Sequence, residues 1–340
     1  MARIGLVLGA GGIVGQAHHA GVLAALEEKL GWDPRTAEVI VGSSAGSVTG
    51  ALLRVGASAS DMAAYACDRP LSADGAALFE SLGPRELDLP PFALGDLLRR
   101  RWRPPSAQLV RRALRRPWAM RPSVAAVAMM PAGEIDLCEH TAVLDAVVPA
   151  MPDGEELDRA GWPEGLLVCA ASRDDGRRVV FGRDGSPAVP LSQAVAASCA
   201  IPGYFAPVCI HGEEYVDGAV HSPTNADVLA DVGLDLVIVV SPMSAAHGRS
   251  ATPDAAFRFA AHRRLWREVR RLRDASTQVL TFEPEHASLT AMGMNAMAQD
   301  RSTEVVDAAR HEVSLRLADP RLAPRFDLLR AGGVGAPAAA

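Results

Sequence analysis

Short β-branched runs alternate along this chain with longer stretches that carry apolar residues at helical spacing, and the two periods predict different elements. Arg3-Ile4-Gly5-Leu6-Val7-Leu8 reads as a buried strand, Gly9-Ala10-Gly11-Gly12-Ile13-Val14-Gly15 as a loop, and Gln16 to about Leu30 as a helix. That helix is apolar on most sides, which predicts packing between the sheet and its neighbours. Trp32-Asp33-Pro34 breaks it, and Glu38 to Val41 supplies a second strand that runs into Gly42-Ser43-Ser44-Ala45-Gly46 and a helix through Leu53. Two consecutive strand–helix units predict an α/β protein with a parallel sheet and right-handed crossovers.

From about residue 68 to 163 the pattern loosens. Proline pairs at Pro90-Pro91 and Pro104-Pro105 and short amphipathic pieces suggest an inserted helical cap over a single domain of residues 1–330. Regular structure resumes with strands at 165–171 and 178–181, a helix over Leu191 to Ser198, and a strand at Val208-Cys209-Ile210. A turn at His211-Gly212 follows, then a strand from Glu214 to Ala219. Leu236 to Val240 is a core strand, Ala255 to Ala275 a long amphipathic helix and Gln278 to Phe282 a last strand. Two helices then close the chain before Ala331 to Ala340, whose Gly/Ala/Pro content predicts a disordered tail, and no internal repeat is evident.

Composition narrows the function classes. The 340 residues are 49% hydrophobic and 22% charged with a net charge of −6, so no overall positive field favours nucleic acid. Five widely spaced cysteines without a C-x-x-C pair suggest buried free thiols rather than a disulfide framework or a metal site. No leader-like segment or membrane-length apolar run is present, which predicts a cytoplasmic protein with at most peripheral membrane contact. Arg99, Arg100, Arg101, Arg103, Arg111, Arg112, Arg115 and Arg116 form a basic cluster, read as a solvated face or a contact for anionic headgroups. Met120, Met129, Met130 and Met151 fit either core filler or a flexible acyl-binding surface.

Candidate chemistry centres on two loops. Gly42-Ser43-Ser44-Ala45-Gly46 fits G-x-S-x-G, a strained strand-to-helix turn that exposes a serine oxygen, and the spacing selects Ser44 as nucleophile with Gly42 and Gly46 as its flanking glycines. The loop Gly9 to Gly15 admits three readings. A dinucleotide fingerprint fails at Ala10 or Val14, and the second strand carries no terminal carboxylate; a Walker loop lacks its Gly-Lys-Ser/Thr, so no nucleotide cofactor is expected. The remaining reading is an oxyanion hole, with Gly11 and Gly12 amides facing Ser44 if the first two strands are adjacent and parallel. A base for Ser44 is not selected by the residues themselves. Nine histidines are available, with His18 and His19 near the glycine loop and His211 and His221 flanking Asp217-Gly218, itself readable as a plain turn.

The glycine loop, the elbow, the segment Ala197-Ser198-Cys199-Ala200-Ile201-Pro202-Gly203-Tyr204-Phe205 and Asp217-Gly218-Ala219, in this order and spacing, resemble the patatin-like phospholipases over roughly residues 4–55 and 165–240. The resemblance implies a three-layer α/β/α fold with a mainly parallel central sheet and a Ser44–Asp217 dyad that requires no histidine, with Gly218 completing the aspartate motif. It further implies a serine acyl hydrolase acting on lipid esters without metal or other cofactor. Acyl transfer by the same dyad, or a catalytically silent lipid-binding or partner-binding protein, are the alternatives. The glycine motif departs from the family's G-G-G-x-R/K-G, because Ala10 replaces its first glycine and Val14 its basic residue.

Overall fold

The computed structural model describes residues 2–83, 102, 104–115, 122–147, 162–246 and 254–332. Within them one mixed sheet runs in the order β5-β6-β3-β2-β1-β7-β8, with β4 also paired to β3. The strands are β1 Ile4–Leu8, β2 Val39–Ser43, β3 Leu166–Ser172, β4 Arg178–Phe181, β5 Val208–Ile210, β6 Glu213–Asp217, β7 Leu236–Val240 and β8 Gln278–Phe282. Strands β3, β2, β1, β7 and β8 are parallel, whereas β4, β6 and β5 join antiparallel. The expected adjacency of the first two strands is present, with Gly5 opposite Val39 and Leu8 opposite Gly42.

Strand periodicity splits the core in two. Leu6, Leu8, Ile40, Val168 and Ile238 face one apolar layer, while Val7, Val41, Cys169, Val237 and Val239 face the other, as alternation across a pleated strand requires. The first layer is covered by α1 Gly12–Leu30, α2 Ala45–Arg54, α3 Ala59–Ala66 and α4 Ala73–Ser81, whose Phe79 packs into it. Two further helices, α5 Ala107–Arg115 and α6 Pro122–Met129, lie in the loosely patterned region, and α7 Leu191–Cys199 packs beside β3 and β6. The second layer is covered by α8 Ala255–Asp274; α9 His286–Met292, α10 Ser302–Leu317 and α11 Ala323–Gly332 end the described chain. The result is three layers, helices on both faces of a central, mostly parallel sheet.

Differences from the sequence expectations have local causes. Helix α1 begins at Gly12, not Gln16, because the later glycines form its first turn rather than a loop. Three helices follow β8, not two, and the last passes through Ala331 and Gly332; residues 333–340 lie outside the described residues. All five cysteines are free, but Cys209 is exposed on the edge strand β5, so burial does not hold for every thiol. Of the basic cluster only Arg111 and Arg115 have described side chains; Met120 and Met151 likewise fall outside. Among the described residues no helix is long and apolar enough to cross a membrane.

Candidate active site

Because β1 is flanked by β2 on one side and β7 on the other, the order of parallel strands reverses about it, and such a switch opens a crevice at the carboxyl ends. Both candidate loops open there. Ser44 caps α2 with φ 52° and ψ −123°, a backbone conformation that costs a non-glycine residue on the order of 1–3 kcal/mol and is held only by surrounding structure. Three features hold it. A side chain at Gly46 would strike the Leu8 carbonyl, so only glycine lets α2 approach β1. A Cβ at Gly42 would lie 2.5 Å from Ser47 Cα, which keeps the inner side of the turn bare. The Ser44 N–H donates to Ser198 Oγ at 2.9 Å, and that hydroxyl in turn donates a hydrogen bond to Cys169 O at 2.7 Å.

Asp217 ends β6, and its Oδ1 accepts the Ala219 N–H at 2.7 Å. Antiparallel pairing sets Asp217 opposite Ala170 in β3, two strands from β1, so the carboxyl group reaches the same edge. The Ser44 side chain lies beside this carboxyl group and favours its charged form, as does the Ala219 N–H. Burial outweighs both and pushes the Asp217 pKa up to about 6. Gly218 follows under the Cys169 carbonyl, where a side chain would collide.

The glycine loop turns between these elements and Ala296. Gly12 has φ 63°, and a Cβ there would sit 2.5 Å from the Ala296 carbonyl oxygen, so two constraints converge on glycine. The first N–H groups of a helix have no partner within it. Of these, Val14 N–H is taken by Ala296 O at 3.2 Å, whereas among the described residues the amides of Gly11, Gly12 and Ile13 have no backbone acceptor. A Cβ at Gly15 would lie 3.8 Å from Ala45 Cβ, so the first turns of α1 and α2 are in contact. The departures from the usual glycine motif have plain surroundings: Val14 is buried in the apolar layer and Ala10 N–H bonds Pro223 O at 2.8 Å. A basic side chain at position 14 would be placed in that layer rather than over the loop.

No histidine is among the groups that set the titration of Asp217. His18 and His19 are buried and neutral, their pKa values lowered to about 3 chiefly by burial, and His19 Nδ1 lies 3.2 Å from Thr49 Oγ1. His211 Nε2 meets Ala188 O at 2.8 Å, and His221 Nδ1 meets Asn225 Oδ1 at 3.1 Å. Among the described residues no group of three or more His, Cys, Asp or Glu side chains is placed to hold a metal ion.

Four residues of the site were given no role by the sequence, although Ser198 and Cys199 lie in the segment Ala197 to Phe205 that carries the resemblance. Ser198 anchors the elbow as above; removing its hydroxyl would orphan a buried donor and a buried acceptor. Cys199 Sγ lies 3.7 Å from Ser47 Oγ, and burial pushes its thiol up to about 12. Asn225, left-handed at φ 52°, donates from Nδ2 to Ser43 Oγ at 2.9 Å and to Ser222 O at 2.7 Å, joining the residue before the nucleophile to the loop after Asp217. The Glu268 carboxylate accepts from Ser222 Oγ, Thr224 Oγ1 and Ala226 N within 2.6–2.9 Å and clamps that loop to α8. Asn225 carries a local signal of its own, a residue tolerant of positive φ in a polar turn. Glu268 looks like any helical carboxylate paired with Arg264 one turn away, and the loop partners it clamps are forty or more positions distant.

A buried serine at a strand-to-helix turn of a parallel α/β sheet, beside a buried carboxyl group and helix N-terminal amides without a backbone acceptor, has the architecture of the nucleophile-elbow proteins. Residues 6–230 match the family model described as "Patatin-like phospholipase", and the chain belongs to that family. The description of the family is that of phospholipases, which hydrolyse lipid esters. Distant likenesses among solved structures include VipD from Legionella pneumophila, at 14% identity over 93% of this chain and 67% of that one, with a TM-score of 0.38. The type III effector protein ExoU is similar at 20% identity over 98% and 54%, TM-score 0.35. Human GIVD cytosolic phospholipase A2, in complex with methyl gamma-linolenyl fluorophosphonate, is similar at 13% identity over 98% and 59%, TM-score 0.43. The chain thus spans 54% to 67% of the length of these proteins.

Proposed function

We propose that this protein hydrolyses carboxylic esters of lipids through an acyl-enzyme on Ser44. The observation that carries the reading is the placement of the buried Asp217 carboxyl group beside Ser44, close enough for the Ser44 side chain to favour its charged form. As Ser44 Oγ attacks the acyl carbonyl, its proton passes to the Asp217 carboxylate; the carbonyl oxygen gains charge and is held by the Gly11 and Gly12 amides. The alcohol then leaves with the proton, and water repeats the sequence to release the acid. Two properties suit the aspartate to this task. Its raised pKa makes it a stronger base than an exposed carboxylate, and preformed amides need no reorganisation when the charge appears. A fluorophosphonate should therefore label the chain once, and peptide mapping should find the adduct on Ser44; an adduct elsewhere, or equal labelling of Ser44→Ala, would remove the assignment.

The lipid surface is met, in the same proposal, by the carboxyl edge of the sheet. Helix α5 is tied there by Ser106 Oγ donating to Asp174 O in the turn after β3. It exposes Val110 and Leu114, the latter 79% accessible, beside Arg111 and Arg115, with exposed Trp102 shortly before it. Met294, 66% accessible, belongs to the loop whose Ala296 bonds the start of α1, and exposed Phe257 opens α8, the helix after β7. Apolar tips with neighbouring arginines suit the headgroup boundary of an anionic membrane, although the chain as a whole carries −6. Vesicles containing phosphatidylglycerol should co-sediment the protein. Leu114→Asp with Trp102→Ser should weaken this at least tenfold; unchanged sedimentation of that variant would refute the surface.

A further inference from the structure

Between the two helices that start at the chemical loops lies a cavity of about 150 Å³. One wall is a stripe of α1 formed by Ile13, Gln16, Ala17 and Ala20, spaced as one helix face; the other is Thr49 and Leu52 of α2. Helix α3 supplies Met62 and Tyr65, with Phe79 of α4 stacked on Tyr65 at 4.1 Å between ring centroids. Its walls begin just beyond the chemical loops along the chain. Ile13 directly follows Gly12, and the Thr49 hydroxyl bonds the carbonyl of Ala45, the residue after Ser44. Ala20 and Leu52 are each eight residues from Gly12 and Ser44, a depth of about 12 Å at 1.5 Å per residue. Beyond Ala20 the same stripe continues as Leu23 and Ala24, both fully buried in the packed layer, so the cavity stops there.

We propose that this cavity is a length-limited acyl site, which rests on the hydrolase reading above, and that it selects straight chains of about eight to ten carbons. A cavity of about this volume accommodates a guest of roughly six carbons, and its lining is mainly apolar, with Gln16, Thr49, Gln299 and Ser302 as its polar members. The first carbons of an ester lie outside it, between Ser44 and the Gly11 and Gly12 amides. An extended chain advances about 1.25 Å per carbon from ordinary bond lengths and angles, so a depth of about 12 Å takes roughly ten. The carbonyl end meets the polar loops, the methyl end meets Ala20, Leu52 and Met62, and the Tyr65–Phe79 stack closes one side. Met62 is in the wall but is not one of the methionines the sequence offered for an acyl surface; of those, Met129 and Met130 are not among the walls, and Met120 and Met151 lie outside the described residues.

Binding, rather than turnover, provides the test. Calorimetric titration of the full chain carrying Ser44→Ala with linear carboxylates of four to sixteen carbons, below their micelle concentrations, should show affinity rising about fourfold per methylene to decanoate and then levelling or falling. Adding Ala20→Leu should weaken decanoate at least tenfold and leave butyrate within about threefold. Met62→Ala, which enlarges the deep end and does not depend on Ala20→Leu folding, should move the optimum to twelve or fourteen carbons. Affinity that climbs evenly through sixteen carbons, or an optimum unmoved by Met62→Ala, overturns the assignment. Since no ester is cleaved in these titrations, failure of Ser44 chemistry would leave their outcome intact and would count against the hydrolase reading alone.

Discussion

Ser44→Ala should lower ester hydrolysis by roughly 10⁴- to 10⁶-fold, the range seen when a serine nucleophile is removed from such a site. The fold should survive the change. Ser44 N–H still reaches Ser198 Oγ at 2.9 Å, and the alanine side chain occupies less space in the same turn. Ser44→Gly separates chemistry from backbone. It removes the same oxygen but also relieves φ 52°, ψ −123°, so it should be as inactive as the alanine variant and more stable by about 1–3 kcal/mol. Thermal or urea unfolding of the three proteins measures this. A glycine variant less stable than the alanine variant would show that the elbow is not strained, and residual activity above 10% of the original in either would move the nucleophile elsewhere.

Asp217→Asn should abolish most turnover, while His211→Gln and His221→Gln should stay within a few-fold of the parent. Activity should rise with pH as Asp217 ionises, with a midpoint near its pKa of about 6, because only the carboxylate accepts the Ser44 proton. Stability runs the opposite way. Burial raises the folded-state pKa from 3.8 to about 6, so the neutral acid is the form the fold prefers; that contribution is full below about pH 4 and is lost as pH climbs through 6. At 1.36 kcal/mol per unit the loss is on the order of 3 kcal/mol. Asparagine cannot ionise and retains an oxygen for the Ala219 N–H, so the variant should match the parent at pH 4 and exceed it in stability at pH 8. Equal stability at both pH values would contradict a desolvated carboxylate, and a large loss of activity at either histidine would restore a triad.

The elbow and the glycine loop are local objects. Strand, glycine, small residues and helix follow one another within a dozen positions, and steric rules that act over that range place Ser44 and exclude a nucleotide fingerprint. Period-two and period-3.6 patterns likewise located β1, β2, β7, β8 and α8 to within a few residues, because each buries a continuous face. Helix α1 was shortened by four residues in that reading because glycine is a poor helix former, yet the first turn leaves its amides unbonded in any case.

What only the tertiary structure decided are the relations between distant segments. By its local pattern Asp217 is one turn-forming aspartate among many, picked out only by the family resemblance, and the pairing of β6 with β3 brings it across 173 positions to the side of Ser44. Burial then set its pKa, which no local pattern encodes. The Ser198 hydroxyl, the Asn225 amide and the Glu268 carboxylate acquired their partners by the same route, from bonds that span dozens to more than a hundred residues. The chain by itself determined which residues are able to do the chemistry, since elbow geometry and side-chain type are local. Which of them meet, how far they are dried and how deep a cavity lies between α1 and α2 follow from packing, where the energies of many remote contacts are settled together.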